Sequence, residues 1–333
     1  MKRVLRFLSL FYQGGCQAKN ALYRIKLLRP KKGPLAVVSV GNISFGGSEK
    51  TPLVLTLVAA LLKNGFKPAV ITRGYKGKWE RIGGVLSDGK SRSGTWTESG
   101  DEPFMVSLNY PELGVFVGKN RLKSCEKAYD MGFHVAILDD GFQHRRLYRD
   151  LDIVLHNPSE DLPLREPLSS IKRADILLLK EGSDNKPGQG VLYNLQDVDT
   201  FSYSVSNEGF YNLDRIEESV SVLEEKRVLA FCGIARPERF RTLLERTGIK
   251  PIHFISFPDH HPYPSESMKQ IVEFFNAQKA DICITTEKDA IKIKDNQALQ
   301  DIPTYYLKIG IQTDEEFFAR AFSMLKRRGL PDA

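Results

Sequence analysis

Cysteine is scarce in this 333-residue chain, and what little there is stands apart. The four cysteines, Cys16, Cys125, Cys232 and Cys283, are far from one another, and no two sit at metal-ligand spacing. That excludes a disulfide framework and leaves reduced thiols of a cytosolic compartment. Long apolar runs are missing too: no uncharged stretch approaches the roughly 20 residues that a membrane-spanning helix needs. The apolar segment near the N-terminus has no small-residue cleavage site behind it, so it does not read as a secretory signal. There is no internal repeat and no low-complexity tract. A hydrophobic content of 41% with 27% charged residues belongs to a globular protein, not a disordered one. The length suits about two domains.

Acidic residues are absent from the first 32 positions, which hold Lys2, Arg3, Arg6, Lys19, Arg24, Lys26, Arg29, Lys31 and Lys32. The formal net charge of +7 therefore resides in this arm, and the rest of the chain is slightly negative. Such a distribution does not predict a nucleic-acid binder. Val4, Leu5, Leu8, Phe11 and Tyr12 share one helical face, with the cations largely off it, until Gly14 and Gly15 interrupt the pattern. A second amphipathic stretch carries Ala21, Leu22, Ile25 and Leu28. Two readings follow: a helix lying in an anionic membrane surface, or a helix packed on the domain with a solvated basic face. The complete lack of acids favours the membrane.

Beyond the arm, short apolar runs alternate with helical patterns. Strands are expected at Leu35–Val40, Pro68–Thr72, Val135–Asp139, Asp152–Leu155, Ile176–Leu179, Arg227–Phe231 and Asp281–Thr285. Helices are expected at Thr51–Leu62, Asn120–Met131, Pro237–Thr247, Met268–Gln278 and Asp314–Arg327. The alternation predicts α/β layers around a mainly parallel sheet. The Gly-, Ser-, Asp- and Pro-rich segment Glu181–Gly190 is the candidate linker.

The first strand runs into Gly41-Asn42-Ile43-Ser44-Phe45-Gly46-Gly47-Ser48-Glu49-Lys50-Thr51. A strand, a loop of small residues and Lys-Thr opening a helix form the P-loop arrangement. Loop amides and a helix N-terminus attract phosphates, Lys50 would reach the β- and γ-phosphates of ATP, and Thr51 would place its hydroxyl on Mg²⁺. The strict pattern G-x-x-x-x-G-K-[ST] is not met, because Ser44 holds its first glycine position and Glu49 its second. A glycine before the lysine gives backbone freedom and close approach; Glu49 instead sets a carboxylate beside a polyanion. The expectation is that Glu49 turns away from the phosphates toward a Lys or Arg, at some loss of ATP affinity. Alone, the segment also fits a plain strand–turn–helix with an exposed Glu-Lys pair.

Val135-Ala136-Ile137-Leu138-Asp139-Asp140 is an apolar strand ending in acids, where ligands bind in parallel sheets, and it resembles a Walker B element. Gly100-Asp101-Glu102-Pro103 offers one carboxylate to accept a proton and another to ligate a metal. His260 and His261, after Asp259, would serve as base or phosphate contact. Each of these, taken singly, also reads as an ordinary cap, turn or surface pair.

Together they form a recognisable set. The chain resembles the lipid A 4'-kinase (tetraacyldisaccharide 4'-kinase) family from end to end. The resemblance rests on Ser39 to Ser44, Gly46-Gly47-Ser48, Lys50-Thr51-Pro52, Arg73-Gly74-Tyr75, Gly100 to Pro103, Asp139 to His144 and Leu164-Arg165-Glu166. It continues through Gly233 to Phe240, Phe257 to His260 and Thr286 to Ala290. In this family Ser or Thr is normal at the position of Ser44.

The resemblance implies an α/β fold with a P-loop NTPase-like, mainly parallel sheet domain over 33–182. A smaller α/β domain over 191–333 would close over the site, and the arm, 1–32, would associate with the membrane. It implies transfer of the ATP γ-phosphate to the 4'-hydroxyl of an acylated glucosamine disaccharide 1-phosphate in lipid A biosynthesis. Asp101 would be the base, assisted by His260. Thr51, Glu102 and Asp139 would form the Mg²⁺ environment, residues 44 to 51 would hold ATP, and Arg73, Asp140, Gln143 and Arg165 would touch phosphates or substrate. The enzyme would sit peripherally on the cytoplasmic face of the bacterial inner membrane.

Two departures stand out: Glu49, where the family carries glycine, and a segment between His156 and Arg165 shorter than the usual glycine-containing loop. The first raises an alternative, a nucleotide- or lipid-binding homologue that has lost turnover. The retained Lys50, Thr51, Asp101, Glu102 and Asp139 argue for catalysis. A P-loop kinase for a soluble sugar is a third reading, and the basic apolar arm argues against it.

Overall fold

The computed structural model describes residues 2–46, 49–158, 163–182, 195 and 197–330, with side chains from residue 13 onward. The apolar face proposed for positions 4 to 12, Gly47, Ser48 and most of the candidate linker (183–190) lie outside the described residues. Val37, Val38 and Val40 in the first run, and Ala136, Ile137 and Leu138 in the Asp-Asp run, are almost fully buried. β-branched and apolar residues without alternation make strands covered on both faces, as a parallel sheet requires.

Thirteen strands are present among the described residues, in one sheet. They are β1 (Ala36–Asn42), β2 (Pro68–Thr72), β3 (Gly84–Asp88), β4 (Gly114–Val117), β5 (Val135–Asp139), β6 (Leu151–His156) and β7 (Ile176–Lys180). The series continues with β8 (Asp199–Asn212), β9 (Glu217–Glu218), β10 (Val228–Cys232), β11 (His253–Ser256), β12 (Ile282–Thr286) and β13 (Thr304–Thr313). The spatial order is β11-β10-β12-β13-β8-β7-β6-β1-β5-β2-β4-β3, with β9 beside β8. Pairing is parallel except for β13 with β8, β3 with β4 and β8 with β9. The fold is thus the mixed α/β, mainly parallel architecture expected. β1 lies between β5 and β6, so the P-loop and the Asp-Asp end of β5 emerge side by side at the carboxyl edge.

β8 joins the two parts of the sheet. Its start, from Asp199 to Tyr203, runs parallel to β7, and Tyr203 to Asn212 runs antiparallel to β13. Neither β8 nor β13 was expected from the sequence. Ser204, Ser206, Asn207, Glu208 and Gly209 give β8 the composition of a loop, and its partner lies about a hundred residues on, so tertiary pairing overrides local preference.

The closing helix, Glu315–Arg327, packs back on the first part of the sheet. Its Phe317, Ala321 and Leu325 join Val38, Leu57, Leu61 and Leu151 in one core, with helix Lys50–Lys63 on the same face. Burying each such large apolar side chain contributes about 1.5–3 kcal/mol. Helix Arg121–Asp130 covers the other face through Cys125 and Ala128, and Asn120 caps it by accepting from the Lys123 amide.

The N-terminal arm is one helix, Lys2–Arg24, running through Gly14 and Gly15 where an interruption was expected. An interior glycine costs a helix about 1 kcal/mol. Contacts with the body offset this: Gln13 donates to the Leu164 carbonyl at 2.9 Å, Lys19 to that of Gln143 at 3.2 Å, and Asn20 to the Glu166 carboxylate at 2.6 Å. Leu22, Ile25, Leu27 and Leu28 remain exposed. No helix among the described residues is long and apolar enough to cross a membrane.

Candidate active site

A large open cleft runs along the carboxyl edge of β1 and β5 and is walled on its far side by residues after β10, β11 and β12. β1 delivers the P-loop. At Gly41 a Cβ would fall 2.5 Å from the Cβ of Phe142, so only glycine lets the two loops pass. The Asn42 amide donates to the Ser44 carbonyl at 2.9 Å and to its hydroxyl at 3.2 Å. Ser44 is therefore buried behind the loop rather than on the cleft wall, which Phe45 and Gly46 line. Gly47 and Ser48, expected to touch ATP, lie outside the described residues.

Glu49 caps the following helix with φ 52 and ψ 23, the left-handed conformation for which glycine is the default residue. Its carboxylate turns to cations, as the sequence led us to expect: Lys180 and Arg239 each donate to Oε1 at 2.8 Å. Lys50 Nζ lies 3.2 Å from Asp140 and 3.4 Å from the Asn42 side-chain oxygen. The Thr51 hydroxyl donates to Asp139 Oδ2 at 3.2 Å, joining the helix start to the end of β5.

The two acids at the end of β5 are shifted in opposite directions. Burial, followed by the neighbouring Glu102 carboxylate, pushes the Asp139 carboxyl up to about 7, against the pull of Lys50. For Asp140 desolvation also works upward, but Lys50 and Arg165 outweigh it and hold the carboxyl well below its usual range. One Arg165 nitrogen lies 2.9 Å from both Asp140 oxygens. Gln143 donates to the Asn42 carbonyl at 2.8 Å and to Glu166 at 3.2 Å, bracing the P-loop from below.

On the opposite wall Asp101 opens helix Asp101–Ser107 and meets His260, whose Nδ1 lies 2.8 Å from Oδ2 and 3.0 Å from Oδ1. His261 turns elsewhere, with Nε2 2.7 Å from the Ser267 hydroxyl. The ring of Tyr75 stands edge-on to His260 at 5.4 Å between centroids. Gly74 permits that turn: its φ is +68, and a Cβ there would strike Val117 at 2.3 Å. Arg73 lines the cleft but spends its guanidinium on Glu80 at 2.6 Å. Glu102 accepts from Lys288 at 3.1 Å. Burial opposes ionisation of Asp101, yet the His260 hydrogen bond, Lys288 and Lys292 together hold its carboxyl well below the usual range.

Several residues escaped the sequence reading. Lys292, almost fully buried, bridges Asp101 and Asp289 at 3.2 Å each. Asp289 in turn accepts from the Gly233 amide at 2.8 Å. Their signal was present in Thr286-Glu287-Lys288-Asp289, an acid–base run at the carboxyl end of β12. Arg121 is buried on the cleft wall, its Nη1 donating to the Gly118 carbonyl at 3.3 Å while its buried Nε has no hydrogen-bond partner. Burial lowers it to about 10. Burial first, and then the nearby cations Arg121, Lys19, Arg149 and Arg146, drive His144 down to about 4; Lys19, Arg121 and Arg146 line the cleft beside the N-terminal helix.

Strand, P-loop, Lys-Thr helix start and an adjoining strand that ends in acids define a phosphotransferase of the P-loop class. A family model described as LpxK, tetraacyldisaccharide-1-P 4'-kinase, matches residues 1–326. The chain belongs to the tetraacyldisaccharide-1-phosphate 4'-kinase family. It is 35% identical over 329 residues to the tetraacyldisaccharide 4'-kinase of Syntrophus aciditrophicus, covering 92% of this chain and 88% of that one. The Aquifex aeolicus relative of the same name is 34% identical over 325 residues, covering 92% and 94%. A crystal structure of LpxK from Aquifex aeolicus in complex with ATP superposes with a TM-score of 0.76 at 32% identity, over 98% of this chain and 99% of that one.

Proposed function

We propose that this chain transfers the γ-phosphate of ATP to the 4'-hydroxyl of an acylated glucosamine disaccharide 1-phosphate. The observation that carries the reading is the pairing of two half-sites in one cleft: Lys50, Thr51 and Asp139 on one wall, Asp101 and His260 on the other. ATP lies along the P-loop with its terminal phosphates toward Lys50. The sugar hydroxyl attacks the γ-phosphorus, the bond to the β–γ bridging oxygen breaks, and ADP leaves. The hydroxyl proton passes to the Asp101–His260 pair. Lys50 and the helix start stabilise the charge on the transferred phosphoryl group.

Thr51, Asp139 and Glu102 fit a Mg²⁺ ion. All supply hard oxygens, and the Asp139 carboxyl, raised by burial and by the Glu102 carboxylate beside it, is one that a divalent cation would relieve. When bound, the ion neutralises charge on the β- and γ-oxygens. The cationic floor around Lys19, Arg121 and Arg146 suits the anionic 1-phosphate end of the acceptor. The N-terminal helix would rest on an anionic membrane surface, on the cytoplasmic side where ATP is supplied, with residues 191–333 closing the cleft over residues 33–182.

Glu49 does not favour the non-catalytic alternative, because its charge is offset by two cations. The direct test is incubation of the purified protein with Mg-ATP and the acylated disaccharide 1-phosphate, read by mass spectrometry. A product heavier by one phosphoryl group supports the proposal; unchanged acceptor with ATP bound would sink it.

A further inference from the structure

Glu49 stands in a glycine position of the P-loop with left-handed backbone, a conformation that a side chain holds only when its surroundings fix it. What fixes it comes from two distant elements. Lys180 is the last residue of β7, and Arg239 lies in the first turn of helix Pro237–Arg246, beyond β10. Both donate to the same oxygen, Oε1, at 2.8 Å, and the Tyr203 hydroxyl of β8 lies 3.5 Å from the other. The carboxylate is mostly buried, at 8% exposed, while both cations keep about a quarter of their side-chain surface and line the cleft. At the far end of the loop, a Cβ on Gly46 would sit 3.6 Å from Arg236 Nε. Arg236, the residue before helix Pro237–Arg246, and Arg239, in its first turn, therefore both stand beside the P-loop.

From this geometry we infer that Glu49 is a positioning residue, which holds Lys180 and Arg239 together at the phosphate end of the cleft so that they bind the terminal phosphates of the nucleotide. The inference rests on the kinase reading given above. Two cations drawn to one oxygen would repel each other without it. The cluster brings two positive charges and one negative, so it still attracts a polyanion. The carboxylate offsets only part of the charge and fixes the donors before the nucleotide arrives, which is where preorganisation acts. It also links the P-loop to a helix of the β10–β13 part of the sheet. Because the cations act on the group in transfer, their loss falls on turnover more than on nucleotide binding.

The test is a double-mutant cycle of Glu49→Gln and Arg239→Gln. It is read by kcat and both KM values with ATP and the acylated disaccharide 1-phosphate, and by calorimetric binding of a non-hydrolysable ATP analogue. Each single change should lower kcat by about tenfold, with the lipid KM unmoved, and the double variant should be no worse than Arg239→Gln alone. Glu49→Gly serves as the folding control. Glycine relieves the left-handed strain, so this variant should melt no lower than the parent and yet share the loss in kcat. Additive losses in the cycle, or a kcat at or above the parental value in Glu49→Gln or Glu49→Gly, overturn the inference. So does a loss confined to melting temperature, which would make the contact merely structural. If the parent protein binds the analogue but phosphorylates no acylated disaccharide, the functional reading fails instead. Coupling between Glu49 and Arg239 in analogue affinity would then still decide the role of the cluster.

Discussion

His260 Nδ1 lies 2.8 Å from Asp101 Oδ2, although the two residues are 159 positions apart in the chain. Asp101 comes from a helix start after β3, and His260 from the turn after β11, in a left-handed conformation with φ 61. β12 and the helix after it bring Lys288 and Lys292 against the same carboxylate.

Asp101→Asn should lower kcat by about 10²–10⁴-fold, the contribution of a positioned proton acceptor. Affinity for ATP, measured by calorimetry, should change little, because the proposed function sets this residue on the acceptor side. Loss of ATP binding with chemistry preserved would reassign Asp101 to the nucleotide.

Lys292→Met should unfold more easily by about 3–5 kcal/mol in denaturant titration, the cost of leaving a buried partner charge uncompensated. Asp289 is fully buried and depends on Lys292 on one side. A loss below about 1 kcal/mol would show that water replaces the ammonium at little cost.

The Asp139 carboxyl is raised from 3.8 to about 7, so between those values the folded chain keeps a proton that the unfolded chain has released. Its contribution to stability therefore falls as pH rises through that window and is level above it. In chelator, Asp139→Asn should gain in melting temperature relative to the parent between pH 5 and pH 8. Mg²⁺ at pH 8 should restore the parent but not the variant. A gap that stays constant with pH would contradict both the raised carboxyl and its proposed role with the ion.

Deleting residues 2 to 12 leaves in place the contacts that Gln13, Lys19 and Asn20 make with the body. The truncated protein should leave anionic vesicles in a flotation assay and show a higher KM for lipid acceptor at unchanged KM for ATP. Continued flotation would move the membrane contact to another surface.

Much of the nucleotide wall was legible in the chain because its signals are local. A strand, a small-residue loop and Lys50-Thr51 follow one another directly, and the acids of β5 end an unbroken apolar run. Glu49 was legible for the opposite reason, as a side chain where only glycine fits without cost. Lys180, Arg239 and Lys292 were not, since a lone cation on a strand end or helix reads as solvated until its distant carboxylate is known. β8 and β13 stayed hidden because each finds its partner only in the folded sheet, and the helix through Gly14 and Gly15 because its support lies at Leu164 and Glu166.

The closing helix carries a consequence for synthesis on the ribosome. Phe317, Ala321 and Leu325 complete the hydrophobic layer over β1 and β6, so the P-loop strand is translated early but roofed last. Helix Lys50–Lys63 must wait, half covered, until nearly the whole polypeptide has emerged. The usual N-terminal-first order of domain folding does not apply to this sheet. A message truncated before codon 315 yields a nascent chain with an open apolar face, a substrate for chaperones and proteases rather than a working half-enzyme.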